Sequence, residues 1–271
     1  MAFPPPARWT GPPDWLRRGL ARFVLWLHPV EYQWLGRVPE PGERILYVAN
    51  HNLLALDTPH LWAVIYLSTG QWPRGLSDKL HFIVPGTSHL VWWLGGIRGD
   101  QTNCELAMQH GLPLLVFPGG TNEVLKKRHD AKYQLRWNDR RGFARYALKH
   151  GYTIVPVALI GIDDMCRIVG DVPLGWVARL AGDKRVDVTA PLVVPSGTWE
   201  KQYAVFGEPV EAAAFGAWDV EQDVVALRDK VRDTVQDLVA HALARRTADP
   251  ERYLAPRLRS MIIGASRAGE A

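Results

Sequence analysis

Apolar and polar positions change period several times along this chain, and the changes predict alternating strands and helices. Continuous apolar runs at Leu46 to Ala49, Leu114 to Phe117 and 153 to 161 suit strands buried on both faces of a sheet. The first two end abruptly in polar or glycine residues, as LYVANHNLLALD (46–57) and LLVFPGGTNE (114–123). Apolar steps of three and four residues mark helices instead. The clearest runs from 219 to 246, where Val224, Leu227, Val231, Val235, Leu238 and Ala242 share a face that is expected to close the core. Shorter helices are expected over Leu56 to Ser68, Ser88 to Leu94, 102 to 110 with Thr102 as cap, and Asn138 to His150 with Gly151 as stop. Further strands are expected at 80 to 84, leading into Pro85-Gly86, and at Lys201 to Phe206 as the last strand.

This alternation predicts an α/β fold: a single domain with a central mixed sheet flanked by helices, plus an amphipathic N-terminal helix and a long C-terminal helix. The chain divides into an N-terminal amphipathic segment (1–40), a central domain (41–215) and a C-terminal helix with its tail (216–271). In the N-terminal segment, residues 14 to 35 place Leu16, Leu20, Phe23, Val24 and Leu27 on one helical face, interleaved with Arg17, Arg18 and Arg22. Arginine-rich and aromatic-rich amphipathic helices lie at bilayer interfaces, so a membrane surface is an expected partner. The 12 tryptophans point the same way. The apolar run at 61 to 67 is assigned to the core, whereas 89 to 96 suits core or lipid equally. Residues 171 to 182 are expected to be helical or interfacial, and 190 to 197 to add apolar surface.

Composition narrows the picture. At 271 residues, 47% hydrophobic and 22% charged, the chain can bury a sizeable core. Its net charge of +4 is scattered and accompanies no nucleic-acid motif, so no nucleic-acid partner is assigned. Cys104 and Cys166 have neither metal-ligand spacing nor a disulfide framework and read as two reduced thiols. No cleavable signal peptide and no apolar run of about 18 residues is evident. A cytoplasmic protein peripherally associated with a membrane is therefore expected; its oligomeric state is not encoded legibly.

The candidate chemistry sits at the two strand ends. His51 can take a proton from a hydroxyl, and Asp57 can fix its tautomer; read without further context, they are equally a loop histidine and a helix-start carboxylate beside the dipole. Six residues of regular helix are about 240° of rotation, so His51 must occupy a turn with Asp57 at the start of the next helix. Gly119 and Gly120 let the backbone approach a ligand closely and offer N–H donors to a developing oxyanion. Asp163 and Asp164 invite a metal, yet no nearby histidine or third carboxylate completes a site, and no metal is assigned.

NHNLLALD resembles the NHxLLGLD block of the acyltransferases grouped with phytyl ester synthases and the monoacylglycerol and diacylglycerol acyltransferases, with Ala55 in place of the usual glycine. FPGGTNE resembles their FPGGxxE block. GLSDKLHFIVPG (75–86), LGGIRGD (94–100), YQLRWNDRRGFARYALKHG (133–151), TIVPVALIGIDD (153–164) and FGEPV (206–210) follow in order. The resemblance implies an O-acyltransferase with His51 as general base and Asp57 as its orienting acid. The donor would be acyl-CoA or acyl carrier protein, acting as co-substrate with no further cofactor. It also implies substrate binding by Gly119, Gly120 and Thr121, while Glu123, which matches the family's glutamate, would either bind the acceptor or brace the His51 loop. The run Lys126 to Arg128 would either pair with donor phosphates or stay solvated.

Wider phospholipid-synthesising relatives carry HxxxxD and FPEGTRS. This chain has one more residue in the first block and Asn122 where their arginine falls, which points to an uncharged lipid alcohol as acceptor. Arg98 lies where those relatives place a second block and could hold a phosphate, so a lysophospholipid (1-acylglycerol-3-phosphate) acyltransferase is the alternative. A lipid esterase lacks its GxSxG elbow here, and a non-catalytic lipid-binding protein would not require both His51 and Asp57.

Overall fold

The computed structural model describes residues 8–77, 87–173 and 189–253. Helix α1 (Asp14–Leu27) and strand β1 (Val30–Trp34) come first, and β2 (Ile45–Ala49) leads through a 3-10 turn (Leu53–Ala55) into α2 (Thr58–Thr69). Then follow β3 (Arg74–Ser77), α3 (Thr87–Trp93), β4 (Gly96–Arg98), α4 (Gln101–Gln109), β5 (Leu114–Val116), α5 (Thr121–Val124), α6 (Gly142–His150) and β6 (Thr153–Ile160). The chain continues through α7 (Ile162–Met165), a two-stranded ribbon of β7 (Cys166–Pro173) and β8 (Thr189–Pro195), then β9 (Gln202–Phe206), β10 (Val210–Glu211) and α8 (Glu221–Ala248).

The main sheet has the order β1-β9-β6-β2-β5-β3-β4, with β10 also on β6. It is mixed: β9 and β10 run antiparallel to β6, and the other pairs are parallel. Strand β2 is its centre, paired Leu46↔Leu114 on one side and Leu46↔Ile154 on the other. Because side chains alternate along a strand, Leu46 and Val48 face α4, α6 and α8, whereas Ile45, Tyr47 and Ala49 face α1 and α2. All five are fully buried, each large one contributing roughly 1.5–3 kcal/mol. This is the α/β architecture expected, and the periodic residues from Val224 to Ala242 are indeed the buried face of α8.

Several local expectations differ. Residues 14 to 35 are not one helix: Pro29 cannot continue it, His28 turns to extended backbone, and Val30–Trp34 becomes an edge strand parallel to β9. The expected face of α1 is also split. Leu16, Leu20 and Val24 are half-buried against the domain beside buried Ala21, while Phe23 and Leu27 point outward with Trp15 and Trp26. Helix α4 is capped by Asp100, whose carboxylate accepts from the Asn103 amide, and not by Thr102. Helix α6 begins at Gly142 because Asn138, at φ +47°, leaves the helical region. Its stop at Gly151, φ +62°, is the expected one. Strand β9 is followed by β10, so it is not the last. Residues 190 to 197 fall mostly in the ribbon strand β8. The strand expected at 80 to 84, most of 171 to 182 and the chain after 253 lie outside the described residues.

Candidate active site

Strands β5, β2 and β6 are adjacent, parallel, and release their chains at one end of the sheet, where α/β folds place ligands. His51 follows β2, the Gly119-Gly120 turn follows β5, and Asp163 follows β6. The sequence-predicted pair meets: His51 Nδ1 lies 2.9 and 3.0 Å from the two Asp57 oxygens. Asp57 is the residue just before α2, completely buried. Burial alone would raise its carboxyl, but the His51 imidazole and hydrogen bonds from His51 and Asn52 outweigh it and hold the carboxyl below its usual value. Oδ2 accepts from the Asn52 amide at 2.6 Å. An ionised Asp57 therefore takes the Nδ1–H of His51, leaving Nε2 as the basic nitrogen. The Phe117 ring stacks on the imidazole at 3.8 Å and fixes its plane.

The turn that brings the pair together is strained. Leu54 and Ala55 have φ of +57° and +58°, a left-handed conformation that suits glycine. This explains physically why glycine is usual where this chain has Ala55. Polar groups on both flanks hold the turn. Glu123, almost wholly buried, accepts the His51 amide through Oε2 at 2.7 Å and the Arg136 amide through Oε1 at 2.7 Å. Burial pushes its carboxyl up, against the pull of those two amides. On the other flank, Lys126 Nζ donates to Asp163 at 2.5 Å and to the His51 carbonyl at 3.3 Å, while Asp163 accepts the Leu53 amide at 2.8 Å. Lys126 is thus neither solvated nor free for donor phosphates. The pairing of Lys126 with Asp163 was not expected from sequence, since 37 residues separate them; the absence of any metal partner for Asp163 was the one available hint.

The two glycines have distinct reasons. A Cβ on Gly119 would sit 2.0 Å from the Glu123 carboxyl carbon, and Gly120 combines φ +50° with Arg140 Nη1 at 2.6 Å from the same position. The Gly120 amide donates to the Phe117 carbonyl at 3.0 Å and is spent on the turn. Of the two amides expected at an oxyanion, Gly119's is the one without such a bond. Thr121 opens the short α5 beside them. Arg98 is exposed at the end of edge strand β4, with Nε 3.3 Å from Asp100 Oδ2. Arg140, which sequence reasoning did not single out, lies nearer the glycine turn.

Phe117 and Gly120 also form one wall of a cavity of about 490 Å³, whose apolar side includes Leu76, Val116, Phe143 and Tyr146 and whose rim carries Arg140 and Arg141. Its size suits an apolar chain with a polar end. Among the described residues, no group of three or more His, Cys, Asp or Glu side chains is arranged to hold a metal ion. No described helix is long and apolar enough to cross a membrane.

Residues 30–160 match the family described as Acyltransferase. The chain is 27% identical over 212 residues to the "DGAT1/2-independent enzyme synthesizing storage lipids" of Bos taurus, covering 78% of this chain and 59% of that protein. It is 28% identical over 251 residues to "Phytyl ester synthase 2, chloroplastic" of Arabidopsis thaliana, covering 82% of this chain and 35% of that one. The chain thus spans less than two thirds of the length of these relatives. The fold is similar to that of the 1-acyl-sn-glycerophosphate (LPA) acyltransferase PlsC from Thermotoga maritima, with a TM-score of 0.50, 16% identity, and coverage of 82% of this chain and 78% of that one.

Proposed function

We propose that this chain, a member of the acyltransferase family, moves a fatty acyl group from an acyl thioester, acyl-CoA or acyl carrier protein, to the hydroxyl of a lipid alcohol. The observation that carries the reading is the couple formed by His51 Nδ1 and the buried Asp57 carboxylate, at 2.9 Å, beside the glycine turn. His51 Nε2 takes the proton of the acceptor hydroxyl as its oxygen attacks the thioester carbonyl. The tetrahedral oxyanion is held from the side of Gly119. Collapse expels the thiolate, which receives the proton back from His51, so an ester and a free thiol leave and the base is restored.

The acceptor is a neutral alcohol such as a diacylglycerol or a long-chain alcohol. Asn122, where the phospholipid-synthesising relatives carry an arginine, and the engagement of Arg98 Nε by Asp100 Oδ2 at 3.3 Å support this. The cavity behind Phe117 houses an acyl chain, and the protein works at a membrane surface. Purified protein given mixed acyl-CoAs and a panel of alcohols, with products followed by mass spectrometry, tests this. Esters of neutral alcohols are expected to dominate, and a clear preference for lysophosphatidate would overturn the acceptor assignment.

A further inference from the structure

Leu54 and Leu56 are 42% and 46% exposed on the turn that joins His51 to Asp57. Leu54 stands outward in a left-handed conformation that costs a branched side chain energy. The two large apolar side chains place an apolar patch beside the catalytic pair. We propose that this turn, together with the C-terminal half of α1 and Trp199, is the surface the protein lays on a lipid bilayer, so that the acceptor alcohol reaches His51 directly from the membrane.

Contacts around two buried histidines make this surface continuous. Tyr66, near the end of α2, bonds Asp14 at the start of α1, so the two helices run antiparallel. At their other end, His28 just past α1 meets His60 in the first turn of α2 edge-on, with ring centroids 5.0 Å apart. His60 Nδ1 lies 2.8 Å from the Leu56 carbonyl oxygen, and the His28 ring lies 5.2 Å from that of Trp199. Phe23, Trp26 and Leu27 at the end of α1, Trp199, and the two leucines of the turn therefore gather at one end of the molecule. Phe23 and Trp26 are 54% and 74% exposed, with rings 5.9 Å apart.

The charge around this surface suits a bilayer carrying anionic headgroups. Arg22 on α1 is exposed, and so is Arg128, which shares a small cleft beside Leu53 with Lys126 and Lys132 and with the carboxylates of Asp130 and Asp163, the latter spent on Lys126. Neither arginine side chain has an acidic partner among the described residues. Tryptophan, phenylalanine and leucine flanked by unpaired arginines is the composition that partitions into the interfacial layer. The inference rests on the acyl-transfer reading for its purpose, and its test is kept separate from that reading.

Flotation with vesicles of phosphatidylcholine and phosphatidylglycerol is run on the full chain, on Leu54→Ser/Leu56→Ser, on Phe23→Ser/Trp26→Ser and on His51→Ala, each first shown by thermal melting to be folded. Both double variants are expected to bind about tenfold or more weakly than the unmodified chain, from partial loss of two buried side chains each, and His51→Ala to bind normally. Leu54→Ser/Leu56→Ser is also expected to lower turnover of an alcohol embedded in vesicles at least tenfold more than turnover of a short-chain alcohol dispersed in water. Normal vesicle binding by that variant overturns the proposal. So does self-association lost in both double variants with no vesicle binding, which assigns the face to a second copy. A chain that binds vesicles through the turn yet forms no ester overturns the acyl-transfer reading and supports the docking surface.

Discussion

Beneath α8, Val224, Leu227, Val231 and Val235 pack against Leu46, Val48 and Phe143 through apolar contact alone, whereas the seven residues from His51 to Asp57 keep their shape through polar bonds to Glu123, Lys126 and Asp163. The first kind of construction loses stability in proportion to the atoms removed, and the protein around it persists. The second has no such margin: a turn with two left-handed residues holds only while each buried donor finds its acceptor. Stability and activity are therefore expected to separate along this line.

The sharpest way to break the comparison is Glu123→Ala. It leaves the amides of His51 and Arg136 without the acceptors they meet at 2.7 Å, at about 1–3 kcal/mol each, so urea unfolding should show a loss of about 4 kcal/mol together with lost turnover. Leu227→Ala on α8 should cost about 3 kcal/mol in the same measurement while turnover per folded molecule stays normal. Equal losses of turnover in the two variants would erase the distinction.

The turn is also tied to pH through His60, whose Nδ1 lies 2.8 Å from the Leu56 carbonyl oxygen. Burial, helped by neighbouring His28, lowers His60 to about 4 from its ordinary 6.5. The folded protein thus resists a proton that the unfolded chain accepts. The stability tied to neutral His60 is fully present above pH 6.5 and is lost as pH falls through 6.5 toward 4, roughly 3 kcal/mol in all. Unfolding followed across that window should lose this slope in His60→Gln. The smallest effect concerns Ala55: at φ +58°, Ala55→Gly should relieve strain worth about 1 kcal/mol, partly offset by a freer unfolded chain. A small gain in melting temperature with unchanged turnover is expected.

How much of this was legible in the sequence follows the same division. Helix α8 announced itself because its buried residues recur at helical steps, and β2 and β6 because strands covered on both faces are continuously apolar. His51 and Asp57 were legible because NHNLLALD resembles an acyltransferase block; their spacing alone required only that His51 sit in a turn. Strand β1 was hidden because the amphipathic pattern of α1 continues in sequence past Pro29, where the helix itself ends. The buried pair of Lys126 and Asp163 was hidden because a lysine inside a basic run resembles a solvated charge until β6 delivers its partner. Arg140 gave no local sign of its place over Gly120, because that contact arises only when the approach to α6 folds back onto the glycine turn.

The central claim is that His51 Nε2, steadied through Nδ1 by Asp57, removes the proton of an alcohol. Turnover of a long-chain alcohol with acyl-CoA, measured on purified His51→Ala beside the unmodified chain at matched folded concentration, tests it most directly. A loss of about 100-fold or more per folded molecule is the predicted result, and near-normal turnover would contradict it.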